Sequence, residues 1–473
     1  MSLKKNIAYS TILTLSTYLV PLIVFPYISR VLGPQGIGRI DAVDSVINYA
    51  VQLSMMGLST LGIREVARHR NDKKALHDAF RDLFTLNLLT TLTLVVILSC
   101  VFLFVPYFGA HRRLYFIGQT KLFFNMFWIE WFFKGLENFP YITIRSVIMR
   151  ILFVTSVFLF IRDANDYILY YVLWVGLVVG NALCNWIYRR KFVSYSLKGF
   201  RLQRYLKPFV ILGLFSVCAA LYTQLPTAYL ASKCGATQVA YFTTATRIHT
   251  VLLALFTSIT GVMIPRISSL LAQNKEMEVK RLTNKTFNLL YLFALPVIVF
   301  LEFFSKDVIH IFAGSGFEGA ILPMRIVVMQ ILIVGTEQIL ILQLLIPSGH
   351  DRYPLYCALA GAIVSMASNL LLVPRIGAVG CAVSWLLAEM TVMFIALHWV
   401  NHFLKIQIPL RLLLKRILWA LPYVGIAIAV YFFVSGTWIR IGITCFFFLI
   451  YAFFILRKEE IIKPRVLSQF LHR

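Results

Sequence analysis

Five polar residues recur along one apolar stretch: Asp41, Asp44, Asn48, Gln52 and Ser59 follow one another at steps of three, four, four and seven. In a helix of about 3.6 residues per turn this spacing puts them on one face. Carboxylates on such a face can hold a proton or a sodium ion, or pair across a cavity with a cation such as Arg30 or Arg39. A second polar set, Thr243, Thr246 and Thr250, lies 202 residues further on with Arg247 beside it. An arginine inside an apolar run suits an anionic cargo, because guanidinium stays charged and its planar fork pairs with phosphate oxygens. Glu337 stands near the middle of another apolar run with only Thr336 and Gln338 as polar neighbours, so it needs a functional role or a partner such as Arg325. Glu389 is similar, whereas Glu130 has Lys134 four residues on, the spacing of an ordinary intrahelical pair.

The elements that carry these residues are membrane spans. Of 473 residues 59% are hydrophobic and 14% charged, and mean hydropathy is +0.79; a soluble domain has roughly 45–50% and about 25%. A span needs about 20 apolar residues. Such runs fall near 7–31, 39–63, 83–105, 113–133, 141–161, 166–188, 208–232, 238–264, 286–304, 320–346, 355–373, 377–399, 416–434 and 438–456. The sequence therefore predicts an all-α polytopic membrane protein of about 14 transmembrane helices, with twelve as the competing count. The first run is too long for a signal peptide's apolar region and is expected to stay as a helix.

The net charge of +25 sits mostly in alternate links between runs, so it reads as topology and not as nucleic-acid affinity. Arg64, Arg68, Arg70, Lys73, Lys74 and Arg81 follow the second run, and Arg189, Arg190, Lys191, Lys198, Arg201, Arg204 and Lys207 follow the sixth. The intervening links are poor in cations. The positive-inside rule makes both termini cytoplasmic, in agreement with Arg457, Lys458, Lys463 and Arg465 in the tail. The stretch Ala67–Phe84 reads as a basic, amphipathic segment lying on the anionic cytoplasmic leaflet.

Seven cysteines without CxxC or histidine pairing indicate neither disulfides nor zinc. Gly33, Gly36 and Gly38 form no phosphate loop, since no GKS or GKT follows, so no nucleotide cofactor is expected. External links are short, and there is no DxD motif or carboxylate cluster at a mouth, which argues against a membrane glycan polymerase or glycosyltransferase. The chain reads as a transporter and not an enzyme.

Aligned with itself at an offset of 202, the chain puts Tyr27 on Tyr229, Gly33 on Gly235 and Arg64 on Arg266 without a gap. Runs 1 and 2 thus repeat as runs 7 and 8, an even number apart, which makes the repeats parallel. The expected organisation is two six-helix lobes, 1–200 and 201–400, around a central cavity, followed by a C-terminal helix pair and tail over 401–473.

A family resemblance attaches to Pro26-Tyr27-Ile28-Ser29-Arg30-Val31-Leu32-Gly33-Pro34-Gln35-Gly36-Ile37-Gly38 and to Gly62-Ile63-Arg64-Glu65-Val66-Ala67-Arg68. It continues at Ile264-Pro265-Arg266-Ile267-Ser268 and at Asn369-Leu370-Leu371-Leu372-Val373-Pro374-Arg375-Ile376-Gly377-Ala378-Val379-Gly380. These segments resemble Wzx-type polysaccharide flippases, of the superfamily that includes the multidrug (MATE-type) exporters and lipid II flippases. The resemblance implies two six-helix lobes, a bacterial inner membrane, and an undecaprenyl-diphosphate-linked oligosaccharide turned from the cytoplasmic to the external leaflet. The glycan could be O-antigen of lipopolysaccharide, capsule or exopolysaccharide, with a polymerase and chain-length machinery as partners. This chain has Thr227 and Ser232 where many relatives carry an acidic residue, which puts a coupling carboxylate of the second lobe in doubt.

A cationic cavity would carry the diphosphate. Arg247, nine residues into its run, lies about 14 Å deep, where an unpartnered charge costs about 2.5–3.5 kcal/mol. Arg30 is the second candidate because, as the resemblance implies, cations from helices 1, 2 and 8 line the cavity in the flippases; the competing reading is an interface anchor. Arg64 and Arg266, matched by the repeat, would flank the cytoplasmic mouth, although any helix ending there tends to be basic. Arg150 and Arg325 complete the substrate set, with Asp41, Asp44 and Glu337 for ion coupling or charge pairing. The driving force would be a proton or sodium gradient or the membrane potential. A MATE-type drug exporter is the alternative, disfavoured by arginines where a cation exporter would want acidic and aromatic linings.

Overall fold

A computed structural model describes residues 3–196, 199–350 and 352–458. Among the described residues there are sixteen α-helices and no strand. They are α1 (Leu3–Met55), α2 (Leu58–His69), α3 (Lys73–Phe104), α4 (Arg112–Asn125), α5 (Glu130–Gly135), α6 (Phe139–Phe160), α7 (Tyr167–Tyr188) and α8 (Gln203–Thr223). Then follow α9 (Leu225–Cys234), α10 (Ala236–Ala272), α11 (Glu276–Phe312), α12 (Ile321–Val328), α13 (Gln330–Gln338), α14 (Arg352–Leu404), α15 (Leu410–Phe433) and α16 (Thr437–Lys458). Lys198, Lys463 and Arg465 of the expected basic links lie outside the described residues.

Among the described residues, ten helical stretches are long and apolar enough to cross a membrane. Leu15 and Leu19 on α1 and Phe432 and Phe433 on α15 are half or more exposed, which is stable only against lipid. The chain is a multi-pass membrane protein. α1 and α14, at 53 residues each, are about 80 Å long at 1.5 Å per residue, far more than a hydrocarbon core of about 30 Å needs. Each is broken by a glycine into two rods: Gly33 (φ 63°, ψ 176°) in α1 and Gly377 (φ 54°) in α14. Pro34 then opens the next helix, where its missing N–H breaks no hydrogen bond. Gly235, the repeat equivalent of Gly33, joins α9 to α10 with φ 82° and ψ 176°, so the sequence repeat is also a backbone repeat.

Two compact units divide the chain: Met1–Thr243 with Ala313–Gly316 and Ser365–Cys381, and Thr244–Phe312 with Phe317–Val364 and Ala382–Arg473. In the first, Leu58, Leu61, Phe80, Leu83, Phe84, Trp131, Phe132, Phe133 and Phe209 form one buried cluster. This corrects the expectation of a surface segment over Ala67–Phe84. α2 runs on to His69, α3 starts at Lys73 capped by Asp72, whose Oδ1 accepts from the Lys74 and Ala75 N–H groups, and Phe80 is completely buried. The apolar side of that stretch faces protein, not lipid.

The run 113–133 is likewise not one helix, because α4 ends at Asn125 and α5 begins at Glu130. Trp131, Phe132 and Phe133 are all buried; three consecutive side chains point in three directions, so a straight lipid-facing helix could not bury them all. The run 208–232 breaks between α8 and α9 just ahead of Pro226. In the second unit α15 packs on α11 through Phe304, Ala427 and Val430. The run 320–346 divides into α12 and α13 and then widens, with the Ile346 N–H reaching the Ile341 carbonyl five residues back. Such widened turns are frequent at functional positions.

Candidate functional site

Asp41, Asp44, Asn48 and Gln52 of the polar face read from the sequence lie on the second rod of α1, whereas Ser59 lies on α2, because the expected helix 39–63 breaks at Met56, whose φ is 39°. Asp44 Oδ1 accepts from Lys121 Nζ at 2.7 Å and from the Tyr171 hydroxyl at 3.1 Å. Its Oδ2 accepts from Asn48 Nδ2 at 3.0 Å, and Lys121 Nζ donates also to Asn48 Oδ1 at 2.8 Å. Lys121 comes from α4 and Tyr171 from α7, so one carboxylate ties three helices together. The Lys121 and Asp44 side chains are 10% and 16% exposed, which removes the salt bridge from the screening that weakens surface pairs. Asp44 therefore pairs with Lys121 and not with Arg30 or Arg39. Arg39 instead lies over the Tyr167 ring. Asp41 Oδ2 accepts a hydrogen bond from Thr243 Oγ1.

A second buried network holds Glu130. Lys134 Nζ lies 3.2 Å from its Oε2, as the i,i+4 spacing suggested, but the more deeply buried partner is Arg145 of α6, whose Nη2 donates to Glu130 Oε1 at 2.7 Å. Arg145 also donates to Asn185 of α7 and sits over the Tyr141 ring. Sequence reasoning missed Lys121, Arg145, Tyr171 and Asn185 as site residues. For Lys121 and Arg145 the available signal was a lone cation inside an apolar run.

The arginine candidates separate into distinct environments. Arg150 bridges to the first rod of α1, donating to the Leu13 carbonyl, Ser16 Oγ and, at 2.8 Å, Thr17 Oγ1. Arg30 is exposed, donates to the Pro26 carbonyl of its own helix and packs its stem against Gly314. Arg64 is 53% exposed with Glu65 Oε1 at 3.5 Å, and Arg266 is exposed near the end of α10. In the second unit, Arg247 is half-buried on α10, and Arg325 donates through Nε to Ser305 Oγ at 2.8 Å.

Glu337 meets a carboxyl and not a cation. Its neighbour is the carboxyl of Glu389 of α14, and its Oε2 is enclosed with no hydrogen-bond partner among the described residues. Glu389 Oε1 accepts from Trp385 Nε1 at 2.9 Å, and the buried His249 ring packs edge-on against Trp385 at 5.2 Å. Gln338, beside Glu337, bonds to Thr257 of α10 at 3.1 Å. Two ionised carboxylates enclosed together repel, and a proton shared between them would relieve that repulsion.

The fold is similar to those of two solved membrane transporters. A solved structure of the lipid II flippase MurJ in an inward closed conformation matches with a TM-score of 0.75 at 16% identity, over 96% of this chain and 99% of that one. An inward-facing multidrug resistance MATE family transporter of the MOP superfamily matches with a TM-score of 0.66 at 15% identity, over 83% and 94%. The chain belongs to the polysaccharide biosynthesis protein family, whose model matches residues 3–271; the MatE model matches residues 214–371. A protein provisionally named O-antigen transporter in Escherichia coli (strain K12) is 22% identical over 85% of this chain and 97% of its own length. One with the same provisional name in Shigella dysenteriae is 22% identical over 84% and 100%.

Proposed function

We propose that this protein is a transporter that turns a lipid-linked oligosaccharide, carried on undecaprenyl diphosphate, from the cytoplasmic to the external leaflet of a bacterial inner membrane. The observation that carries the reading is the match of 405 residues to the provisionally named O-antigen transporter of Escherichia coli, over 85% of this chain and 97% of that one. Fourteen spans with both termini in the cytoplasm and two lobes working by alternating access complete the proposal. A polymerase and chain-length machinery would take up the product.

The charges support an anionic cargo. Lys121 neutralises Asp44 and Arg145 with Lys134 neutralises Glu130, so these two buried acids do not offset the arginines proposed for the cargo. Arg247 is our main diphosphate contact, joined by Arg30, with Arg64 and Arg266 drawing the cargo to the mouth. Arg150 and Arg325 serve as braces in this reading, given their hydroxyl partners. Ion coupling is assigned in this reading to the neighbouring carboxyls of Glu337 and Glu389, as a pair that would take up and release one proton.

The test is translocation of a fluorescent undecaprenyl-diphosphate oligosaccharide in proteoliposomes, with Arg247→Ala as the comparison and size-exclusion chromatography to check both proteins. Flipping by the native chain and its loss in a monodisperse variant is the expected result. Equal flipping by the variant would make Arg247 structural. The MatE match over residues 214–371 favours a second reading, a small-molecule exporter; efflux of a cationic dye without flipping of the lipid would establish it.

A further inference from the structure

Away from the candidate site, the second unit carries a basic cleft where α11 and α15 begin. α11 turns continuously apolar only near Phe287, and the turns before it place Lys280, Arg281 and Lys285 around a cleft of about 470 Å³. Asn284 and Asn288 supply amides from the same face, and Met277 and, from α15, Leu412 supply the apolar wall. Among the described residues, no acidic side chain lines the cleft. The nearest acids in sequence, Glu276 and Glu278, are exposed in the first turn of α11.

α15 repeats this division along its own length: Arg411, Lys415 and Arg416 precede the apolar run that starts at Ile417. Asn288 and Arg416 put the two helices at one level, because Asn288 Oδ1 accepts from Arg416 Nε at 2.7 Å. Arg416 is completely buried, with its guanidinium over the Trp419 ring at 4.5 Å, so its positive charge is fixed behind the cleft floor. Both helices thus change from basic to apolar at the depth where headgroups give way to acyl chains.

Three cations around one cleft repel one another unless an anion sits between them. Guanidinium and ammonium groups with side-chain amides are donors suited to phosphate oxygens. A free phosphate would satisfy the donors and leave Met277, 80% exposed, facing water. A lipid would satisfy both, with its phosphate among the cations and its glycerol and chain starts along Met277 and Leu412.

We propose that this cleft is a binding site for the phosphate headgroup of an anionic membrane phospholipid, held where α11 and α15 enter the membrane. The experiment is native mass spectrometry of the full chain in mild detergent, titrated with phosphatidylglycerol, phosphatidylcholine or inorganic phosphate. The expected result is specific phosphatidylglycerol adducts, and their weakening by about a hundredfold when Lys280→Gln, Arg281→Gln and Lys285→Gln are combined. Lys280→Arg with Lys285→Arg should retain binding, and the exposed pair Lys73→Gln and Lys74→Gln should leave it unchanged. Native-like binding by the triple variant, or equal loss in the Lys73 and Lys74 control, would overturn the proposal. So would displacement of the lipid by inorganic phosphate at equal concentration, which would assign the cleft to the free anion.

Discussion

Asp41 and Thr243, equivalent positions 202 residues apart in the internal repeat, are joined by a hydrogen bond from the threonine hydroxyl to the carboxylate. One copy of the repeat carries the acceptor and the other the donor, so the two equivalent positions form a complementary pair.

That bond predicts an unequal response to its two ends. Thr243→Val removes the donor from a charged acceptor and should cost about 1.5–3 kcal/mol. Asp41→Asn retains an acceptor oxygen and should cost roughly half as much, since neutral bonds are about half as strong. Thermal unfolding in detergent decides this; a larger loss for Asp41→Asn would mean that the charge itself, and not the Thr243 bond, holds α1 in place.

Lys121 and Asp44 make a stronger case because both side chains are largely enclosed. Lys121→Met should strand the Asp44 carboxylate and cost about 3–5 kcal/mol. Adding Asp44→Asn should recover most of that loss, because the remaining partners Tyr171 and Asn48 can bond a neutral amide. A double-mutant cycle on thermal stability measures the coupling; additive losses would mean that the two side chains do not interact.

The same pair shows what a single sequence does and does not carry. The 3.6-residue spacing exposed the polar face with Asp41 and Asp44, and the 202-residue offset exposed Gly33 and Gly235, because both signals are local or repeat along the chain. Lys121 read as a charge interrupting an apolar run, since its partner lies 77 residues away and only packing of α1, α4 and α7 brings them together. Glu337 invited a cation for the same reason, whereas its neighbour is Glu389. Phe80 failed differently. Its amphipathic surroundings fit a lipid surface or a protein core equally well, and Trp131 and Phe132, 51 and 52 residues on, decide for the core.

Three glycines should fail by two mechanisms. Gly33 and Gly235 hold a left-handed, extended backbone that L-residues rarely adopt, yet a Cβ at either would meet nothing within 4 Å. Alanine there should cost only backbone strain, about 1–3 kcal/mol. Gly38 is helical, but a Cβ there would lie 1.8 Å from the Ala236 carbonyl oxygen, so Gly38→Ala must push α1 from α10. The expected outcome is a modest loss of melting temperature for the first two, and for Gly38→Ala a larger loss with altered protease sensitivity at the start of α10. Equal behaviour of all three would refute the distinction.

Glu337 and Glu389 yield the sharpest functional prediction. Asp44 is bound to Lys121 and Asp41 accepts from Thr243, whereas the proposed coupling places the exchanging proton on the Glu337 and Glu389 pair. Glutamine at either position supplies both a donor and an acceptor, so Glu337→Gln and Glu389→Gln should each fold with a loss of no more than about 1 kcal/mol. Neither can exchange the shared proton with the same two-carboxyl chemistry. In proteoliposomes with an imposed proton gradient, the native chain should flip its lipid faster than without one, and each glutamine variant should flip at one rate under both conditions. Cys357 and, through Trp385, His249 are the other titratable neighbours, so His249→Gln should retain the gradient response. A native-like response from both glutamine variants would take the driving ion away from this pair.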